Sequence, residues 1–404
     1  MNTVAAARPA IQRFPVEEVP PGEAAAIAVM IRILEAQLKQ RYPQGVIRRD
    51  AHPKHYGLVK ARFIVDEQIP VALRHGLFSE PGSQCDALIR FSNGNPIMGH
   101  DLIHDIRGFA IKLLLGPERP QHPLTFLGDA ANLGATHDFV TATGEAFFGR
   151  DAVDFVDFVR VSENGLKVIA YFFRHFPRRL RGGLQMLSAQ SCPRSPLDTY
   201  FFSQTPYRLG PHCVKYQVRR LEPRRMKGDP WYRRLGIRHT LGTIVTALSF
   251  FSRGAANRLP GSDVLRTSLQ RDLRDEGATL EFLVQRWPDL SKLPIWAIEN
   301  GTRRWEGKWE RVARIEIPAG QNDVGSETNL EAAERITFTP WRAWPEHQPL
   351  GSVNRARLEI YRAMSEFRNQ MSAGRARAAV GHYVAHTTSN PVAAVTDEVR
   401  APSA

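Results

Sequence analysis

The spacing of apolar residues along the chain predicts helices near both ends and strands between them. Helical periodicity is clearest from Gly22 to Tyr42 and from Val353 to Met371, and shorter helices are predicted over Asp151 to Val161 and Gly165 to Phe176. Runs rich in branched and aromatic residues predict strands. These runs are 58–65, 87–92, 108–115, 214–218, 279–287 and 309–317.

The order of these elements indicates the fold class. The strands are irregularly spaced, helices are inserted among them, and no β-α-β alternation or internal repeat is visible. This order favours an α+β fold, with an antiparallel sheet or barrel and added helices, over a doubly wound parallel sheet. Residues 1–20 and 388–404 lack periodicity and are predicted to be flexible tails, which leaves 21–387 as a single domain.

Composition excludes several classes of protein. The 404 residues are 43% hydrophobic and 24% charged, which is typical of a folded protein rather than a disordered, collagen-like or coiled-coil chain. Three cysteines without a CxxC pair indicate neither a disulfide framework nor a cysteine zinc site. The N-terminus has no pattern of a signal peptide, and no apolar run there is long enough to span a membrane, so we expect a cytoplasmic protein.

The formal net charge of +13 raises the question of an anionic partner. Basic and acidic residues are mixed in most segments, and no nucleic-acid-binding motif occurs, so no nucleic-acid partner is predicted. The exception is 219–258, which contains ten basic residues, two acidic residues and an apolar run at 241–251. That combination is typical of a helix lying at a membrane surface, and the alternative is a core helix with a solvated basic flank. Peripheral membrane contact through 219–258 is therefore a hypothesis.

The final predicted helix carries the most informative side chains. At 100° per residue, Arg357, Tyr361 and Arg368 project from nearly one face. Positive charge near a phenol favours the phenolate, which is a hard anionic ligand for ferric iron. Arg-x3-Tyr by itself is weak support for this chemistry, because Arg and Tyr four residues apart are common neighbours on helix surfaces.

Four other segments carry motifs that support a specific interpretation of this helix. They are Arg49-Asp-Ala-His-Pro-Lys54, Leu88-Ile-Arg-Phe-Ser92, Asp105-Ile-Arg-Gly-Phe-Ala-Ile-Lys112, and Asp138-Phe-Val followed by Phe147-Phe-Gly-Arg-Asp151. Together with 357–368, and in this order, they resemble the motifs of the haem catalase family. The resemblance covers roughly 45–370 and is weak from about 175 to 275. It is to the shorter catalase-like form, which lacks a flavodoxin-like C-terminal domain. That form includes catalase-related peroxidases and allene oxide synthases.

The resemblance implies a catalase-like fold: an antiparallel β-barrel of about eight strands with flanking helices, and haem b between the barrel and the final helix. It implies His52 as the distal general acid–base, oriented by Ser92. Tyr361 would be the axial ligand of the haem iron. A neutral imidazole above the iron can both accept and return a proton, which agrees with this assignment.

Further residues are implied to hold the cofactor. Arg49, Arg90 and Arg368 would bind the haem carboxylates, and Arg357 would pair with the tyrosinate. Phe155 would stack on the porphyrin. The wall of the distal cavity would include Phe147.

The chain also departs from the family pattern. An adjacent Asn-Asn pair is replaced by Ala142-Thr143, so a distal amide that helps to place hydrogen peroxide is missing, and Thr143 is the nearest substitute. His55 is a rival for the distal histidine, although the Pro-Lys pair that follows His52 favours His52. These departures predict a cavity altered away from rapid hydrogen peroxide disproportionation and towards a bulkier, apolar hydroperoxide.

The sequence thus predicts a haem-dependent oxidoreductase that cleaves a hydroperoxide and is reduced by an organic electron donor. The alternatives within this class are rearrangement of a fatty-acid hydroperoxide and residual catalase activity. An alternative from another class is a haem-binding, membrane-interacting protein without turnover. Homo-oligomerisation is implied by the resemblance, and the absence of Walker, GxSxG, HExxH and GxGxxG motifs gives no support to other common chemistries.

Overall fold

The computed structural model describes residues 16–43, 47–116, 135–174, 176–177, 179–222, 243–249 and 262–371. Its helices are α1 (Glu23–Arg41), α2 (Ala152–Val161), α3 (Gly165–Arg174), α4 (Leu180–Ala189), α5 (Val264–Asp275), α6 (Ile295–Glu299), α7 (Glu327–Arg335) and α8 (Ser352–Met371). Residues 243–249 are also helical. The strands are β1 (His55–Val65), β2 (Gln84–Asn93), β3 (Asp105–Leu114), β4 (Thr136–Ala142), β5 (Gln190–Ser191), β6 (Phe201–Phe202), β7 (Tyr207–Leu209), β8 (His212–Arg220), β9 (Ala278–Arg286) and β10 (Trp309–Ile317).

Eight of the strands close into an antiparallel barrel. The order around the barrel is β1, β2, β3, β4, β6, β8, β9 and β10, and β10 pairs with β1 to complete the ring. The short strands β5 and β7 pair with β3 and β8 outside this ring. Closure leaves every barrel strand hydrogen-bonded on both sides, which makes the barrel a rigid support for side chains at its rim.

The barrel interior is filled by aromatic side chains. Phe139 lies 4.8 Å from Phe282 and 5.0 Å from Tyr216 between ring centroids, and Phe63 meets Phe282 at 5.4 Å. All four rings are almost completely buried. Because aromatic packing occupies the barrel, a ligand site must lie outside it, against the helices.

A second apolar core joins the helices to one another. Residues of α1, α2 and α8 form this cluster, which includes Met30, Val159, Ile360 and Met364. The N-terminus of α2 is capped by Asp151, whose side chain accepts a hydrogen bond from the backbone N–H of Asp154 at 2.8 Å. The helical layer therefore has its own packing, and the space between it and the barrel is where a site can form.

The predicted elements agree with the structure in type, and their ends differ by a few residues at most. The predicted fold class, a catalase-like barrel with flanking helices, is confirmed. Pattern reasoning missed the strands β4 to β7 and the helices α4 to α7. The missed α5 and α7 are amphipathic, but most of their residues are polar, so few apolar positions mark them as helices.

The domain boundaries stay predictions, as do the cytoplasmic location and the homo-oligomer. Within the predicted N-terminal tail, residues 16–20 contact the folded core: the backbone N–H of Gly351 donates to Glu17 Oε1 at 2.8 Å, and that carboxylate pairs with Arg355 at 3.0 Å. Residues 1–15 and the C-terminal tail at 388–404 lie outside the described residues.

The basic and apolar segment 219–258 is described only in part, because 223–242 and 250–261 lie outside the described residues. Its helical part, 243–249, buries Val245, and the Thr246 hydroxyl accepts a hydrogen bond from the backbone N–H of His104 at 2.8 Å. This part of the segment is thus packed against the loop before β3. Among the described helices, none combines the length and apolar character that spanning a bilayer requires.

Candidate active site

A cavity of about 850 Å³ lies between the barrel and the helices α2, α3 and α8. A smaller cavity of about 140 Å³ lies beside it, and His52 and Tyr361 line both. The larger volume falls within the range of about 300–1,000 Å³ that is usual for small-molecule sites. The structure therefore brings the two residues with the strongest predicted roles, 309 positions apart in sequence, to one internal space.

His52 is held in place by contacts with β2 and β3. Its Nδ1 lies 3.1 Å from the Ser92 hydroxyl, and its carbonyl oxygen accepts a hydrogen bond from Arg90 at 2.9 Å. Its backbone has φ of 58°, in the left-handed region that few non-glycine residues adopt. Burial, together with the nearby charge of Arg90, lowers the pKa of His52 to about 4. The imidazole is therefore neutral near pH 7 and can accept a proton.

Gly108 makes room for this histidine. Gly108 pairs with Ser92 across the β2–β3 ladder. A Cβ at Gly108 would lie 2.6 Å from the Ser92 Oγ and 2.7 Å from His52 Nδ1, closer than side-chain carbons can approach. The glycine of the Arg-Gly-Phe-Ala segment is thus required by the close approach of the imidazole to β3.

His55 is placed differently from His52. Its Nε2 lies 3.3 Å from a carboxylate oxygen of Glu334, and it lines neither cavity. Burial and the charge of Arg90 lower the pKa of His55 to about 3. The structure therefore favours His52 over His55 as the residue that faces a bound substrate.

Tyr361 faces the cavity from α8 and is paired with Arg357 one turn earlier. The Tyr361 hydroxyl lies 3.3 Å and 3.2 Å from two nitrogens of the Arg357 guanidinium group, which also donates to Asn354 Oδ1 at 3.2 Å. Burial acts to lower the pKa of Arg357, but the phenol oxygens of Tyr361 and Tyr207 raise it above its ordinary value. A permanent positive charge is thus fixed beside the Tyr361 hydroxyl.

The three arginines predicted to bind carboxylates lie together around the smaller cavity. Arg49 and Arg90 donate to the carbonyl oxygen of Ala333 at 3.1 Å each, and Arg368 lies 3.7 Å from Glu334. Burial acts to raise the pKa of Glu334, but the hydrogen bond from His55 and the charges of the arginines lower it to about 2. Arginines outnumber acidic residues six to one in the lining of this cavity, where Asp50 is the acidic residue. Such a lining suits a ligand that carries carboxylates.

An aromatic wall closes the other side of the larger cavity. Phe147 lies 4.6 Å from Phe148 and 5.0 Å from Phe155, measured between ring centroids, and Phe155 stacks against Phe158 at 5.5 Å. All four rings line the cavity. Flat aromatic faces of this kind suit a large planar ligand.

Thr143 is not placed as predicted. Its hydroxyl donates to the carbonyl oxygen of Ala189 and accepts from the backbone N–H of Arg107 at 3.0 Å, and Thr143 lines neither cavity. The preceding residue, Ala142, lines the larger cavity instead. The role of Thr143 as the nearest substitute for the missing distal amide therefore stays a prediction, and its placement outside both cavities does not favour it.

Gln204 is a polar lining residue that sequence reasoning missed. It lines the larger cavity, has φ of 61°, and its amide donates to the carbonyl oxygen of Thr143 at 2.8 Å. Its side-chain amide thus contacts the segment in which the Asn pair is missing. It follows β6, far along the chain from the recognised motifs, so no local signal in the sequence could have identified it.

The donor set fits haem b. A porphyrin needs a flat apolar surface, cationic partners for two carboxylates and one axial ligand to iron. The site offers the phenylalanine wall, the arginine-rich lining of the smaller cavity, and Tyr361 beside Arg357. Among the described residues no three or more His, Cys, Asp or Glu side chains are grouped as metal ligands, so this part of the chain offers no metal site built from protein ligands alone.

Solved structures of catalases share this fold. A fungal catalase superposes with a TM-score of 0.60 at 14% identity, over 85% of this chain and 63% of that one. Catalase A from Saccharomyces cerevisiae gives 0.59 at 16% identity over 85% and 66%, and a bacterial catalase gives 0.60 at 16% identity over 86% and 62%. This chain therefore spans slightly less than two thirds of their length.

Comparison of sequences adds nothing to this fold similarity. No protein-family model matches the chain, and the curated proteins contain no similar sequence. At 14–16% identity the structural similarity establishes a catalase-like fold. The shorter catalase-related branch stays a prediction, because one fold hosts several chemistries.

Proposed function

We propose that this protein is a haem-dependent hydroperoxidase that reduces organic or lipid hydroperoxides with electrons from an organic donor and is weak at hydrogen peroxide disproportionation. The observation that carries the proposal is that His52 and Tyr361 line the same cavity, one from the loop before β1 and one from α8. A ferric haem bound there would supply the redox centre for cleavage of the oxygen–oxygen bond. Arg49, Arg90 and Arg368 would hold its carboxylates, and Phe155 and Phe147 its ring.

His52 would accept and donate the proton in this reaction. A neutral imidazole can take a proton from the inner oxygen of a hydroperoxide and return it to the outer oxygen, and the low pKa of His52, about 4, keeps it neutral. Its Nδ1 is engaged with the Ser92 hydroxyl at 3.1 Å, which leaves Nε2 for the substrate. Arg357 would stabilise the phenolate of Tyr361 through its two close guanidinium nitrogens.

The cavity favours a bulky apolar substrate. Part of its wall comes from α3 and α4, with side chains of Leu166, Val168, Ile169, Met186 and Leu187. Ala142 presents a methyl group where the family has an amide, so a small peroxide loses a donor that would orient it. An apolar tail packed against these helices would orient a larger hydroperoxide instead.

The absorption spectrum of the haem-supplied protein tests the cofactor and its ligand. We expect a ferric spectrum typical of five-coordinate tyrosinate ligation, lost in Tyr361→Phe. Tyr207→Phe is the matched control, because the Tyr207 hydroxyl also contacts Arg357, at 3.5 Å, but lines neither cavity. Its spectrum should match the wild type. Failure to retain haem, or an unchanged spectrum in Tyr361→Phe, would reject the proposal and favour a membrane-interacting protein without turnover.

Substrate preference is tested by comparing a fatty-acid hydroperoxide with hydrogen peroxide. We expect a higher kcat/KM for the fatty-acid hydroperoxide with a phenolic electron donor, and little evolved oxygen from hydrogen peroxide. Oxygen evolution faster than donor oxidation would instead assign the protein as a catalase. Thr143→Val should leave this preference unchanged, since its hydroxyl does not line the cavity.

Rearrangement of a fatty-acid hydroperoxide is the second candidate. The same apolar wall of α3 and α4 would bind an acyl chain in either reaction. The two reactions differ in whether an electron donor is consumed. Incubation with a polyunsaturated hydroperoxide without donor should give unchanged substrate for the peroxidase, and an epoxide-type product would identify the rearrangement.

A further inference from the structure

The two helices α3 and α4 form a hairpin, hereafter the α3–α4 hairpin, that exposes a continuous apolar stripe. On α3 the stripe consists of Leu166, Ile169 and Phe173, at positions i, i+3 and i+7, which share one helical face. On α4 it consists of Leu180, Leu184 and Leu187, at i, i+4 and i+7. Their exposed fractions include 66% at Leu166, 75% at Phe173 and 62% at Leu187, and Phe176 between the helices is 65% exposed.

The opposite faces of the hairpin are firmly packed. Tyr171 is buried and meets Phe158 of α2 at 5.8 Å between ring centroids. A Cβ at Gly182 would lie 2.3 Å from the carbonyl oxygen of Phe148, so the start of α4 rests directly on the backbone beneath it. The exposed stripe is therefore a feature of an anchored hairpin, not of frayed helices. An exposed apolar patch of this kind marks an interaction surface.

The charge of the hairpin is of one sign. Residues 165–189 contain five basic residues and no acidic one. Lys167, Arg174 and Arg181 are exposed beside the stripe. Arg179 instead pairs with Asp154 of α2 at 2.9 Å, so it neutralises an acidic neighbour. The exposed surface thus combines apolar side chains with uncompensated positive charge.

The stripe and the larger cavity share residues. Leu166, Ile169 and Leu187 are exposed residues of the stripe and also line the cavity. A molecule that contacts the stripe is therefore close to the cavity that His52 lines. This placement connects the surface to the candidate active site.

We propose that the α3–α4 hairpin docks the protein onto an anionic lipid bilayer. Its apolar stripe would enter the boundary between headgroups and acyl chains, while Lys167, Arg174 and Arg181 contact anionic headgroups. If the function proposed above is correct, a lipid hydroperoxide can then pass from the bilayer into the cavity without crossing water. A second copy of this chain is a poorer occupant, because pairing two such surfaces brings like charges together.

Vesicle flotation of the full-length, haem-loaded protein tests the proposal. We expect binding to vesicles that contain phosphatidylglycerol, much weaker binding to pure phosphatidylcholine, and loss of binding at high salt. The hairpin variant, Phe173→Glu combined with Leu184→Glu, should lower the bound fraction at least about tenfold, because two apolar side chains that would be buried in the bilayer are replaced by charged ones. The matched control is Val71→Glu combined with Met371→Glu, at residues that are 75% and 54% exposed but lie outside the hairpin.

The variant Ile244→Glu tests whether the segment 219–258, rather than the α3–α4 hairpin, binds the membrane. Ile244 is 57% exposed, the same fraction as Leu184. Flotation lost in Ile244→Glu but kept in the hairpin variant would overturn the proposal in favour of that segment. If the wild type is a dimer, the hairpin variant is a monomer and neither binds vesicles, the proposal is overturned and the stripe is an interface with a second copy of the chain.

Turnover of a soluble hydroperoxide on the same variants distinguishes the two proposals. We expect the hairpin variant to keep wild-type turnover with this substrate and to lose turnover only with hydroperoxide embedded in vesicles. Equal flotation of hairpin variant and wild type overturns docking, whatever the turnover. Absence of turnover in the wild type overturns the proposed function, whereas flotation still reports on docking.

Discussion

The two walls of the larger cavity are built on different principles. On the barrel wall His52, Ser92 and Gly108 lie within hydrogen-bonding or van der Waals distance of one another, and a single added carbon would not fit. On the helical wall the α3–α4 hairpin contributes adaptable apolar side chains, several of which are also exposed. Groups that need fixed geometry are therefore placed on the closed barrel, and the groups that would contact a substrate tail or a membrane are placed on the hairpin.

The walls also differ in electrostatics. Burial keeps His52 neutral by lowering its pKa to about 4, and it concentrates the charges of Arg90 and Glu334 in a nearly dry environment. The basic residues of the hairpin, such as Lys167 and Arg174, are exposed and screened by salt. Charge therefore acts between buried neighbours on the barrel wall, whereas its effect on the hairpin depends on ionic strength. Substitutions on the two walls should have different consequences.

The largest effect is expected from His52→Gln. Glutamine keeps a polar side chain of similar size but cannot accept and return a proton, so turnover should fall by about 10²- to 10⁴-fold, the usual contribution of general acid–base catalysis. The haem spectrum should be retained, since the ligand Tyr361 is on the other wall. Steady-state oxidation of an electron donor measures the loss.

The control for this prediction is His55→Gln. His55 is buried and paired with Glu334 but lines neither cavity, so its substitution should reduce stability more than turnover per folded molecule. Similar losses in turnover for both variants would remove the distinction between the two histidines.

Gly108→Ala should have the next largest effect. The new Cβ would meet Ser92 Oγ at 2.6 Å and the His52 ring at 2.7 Å and 2.8 Å, and the imidazole must move. A displacement of about 1 Å in a catalytic group can cost about 100-fold in rate, and we expect a loss of this order in kcat.

The same change on the helical wall provides the comparison. In Gly183→Ala the Cβ would meet Phe172 at 3.2 Å, a contact that a small shift relieves, and alanine also favours the helix. Turnover should be kept, and the Tm should change little. If Gly108→Ala is as active as Gly183→Ala, the barrel wall is not as tightly constrained as its geometry indicates.

The pH profile tests the electrostatic contrast. Activity should fall as pH drops through about 4, the pKa of His52, rather than near 6.5, because protonated imidazole cannot accept a proton. Stability changes in the same direction. Unfolded histidine binds protons near pH 6.5 and folded His52 only near 4, so the free energy of unfolding falls as pH decreases between these values.

Circular dichroism at each pH separates the two effects. His347 adds to the acid sensitivity of the fold, because burial lowers its pKa to about 3. Activity that titrates near 6.5 while the circular dichroism spectrum stays native would contradict the burial of His52. Kinetics should therefore be measured only where the spectrum is native.

The smallest effect on turnover is expected from Thr143→Val. The substitution removes hydrogen bonds to the backbone of Ala189 and Arg107, so the free energy of unfolding should decrease by about 1–3 kcal/mol. Turnover per folded molecule should be close to wild type. Thermal unfolding monitored beside kcat checks both parts, and a tenfold loss of kcat at native stability would restore Thr143 to the distal site.

Much of the fold could be predicted from the sequence because local patterns encode it. The run 309–317 was predicted as a strand and is strand β10 over Trp309–Ile317, and 353–371 was predicted as a helix and lies within α8. Elements with few apolar residues were missed, including α5 and α7. The catalase-like barrel followed from ordered motifs, although its closure between β10 and β1 is a contact between residues about 250 positions apart.

By itself, the sequence determined which chemical groups are available: an imidazole, a phenol with an arginine one turn before it, and three further arginines. Only the tertiary structure decided which of these groups meet. It placed His52 in the cavity and His55 on Glu334, turned Thr143 away from the cavity, and brought Gln204 and the α3–α4 hairpin to its wall. The physical reason is that helix and strand periodicity are local, whereas side-chain proximity in a closed barrel depends on pairing and packing between segments distant in the chain.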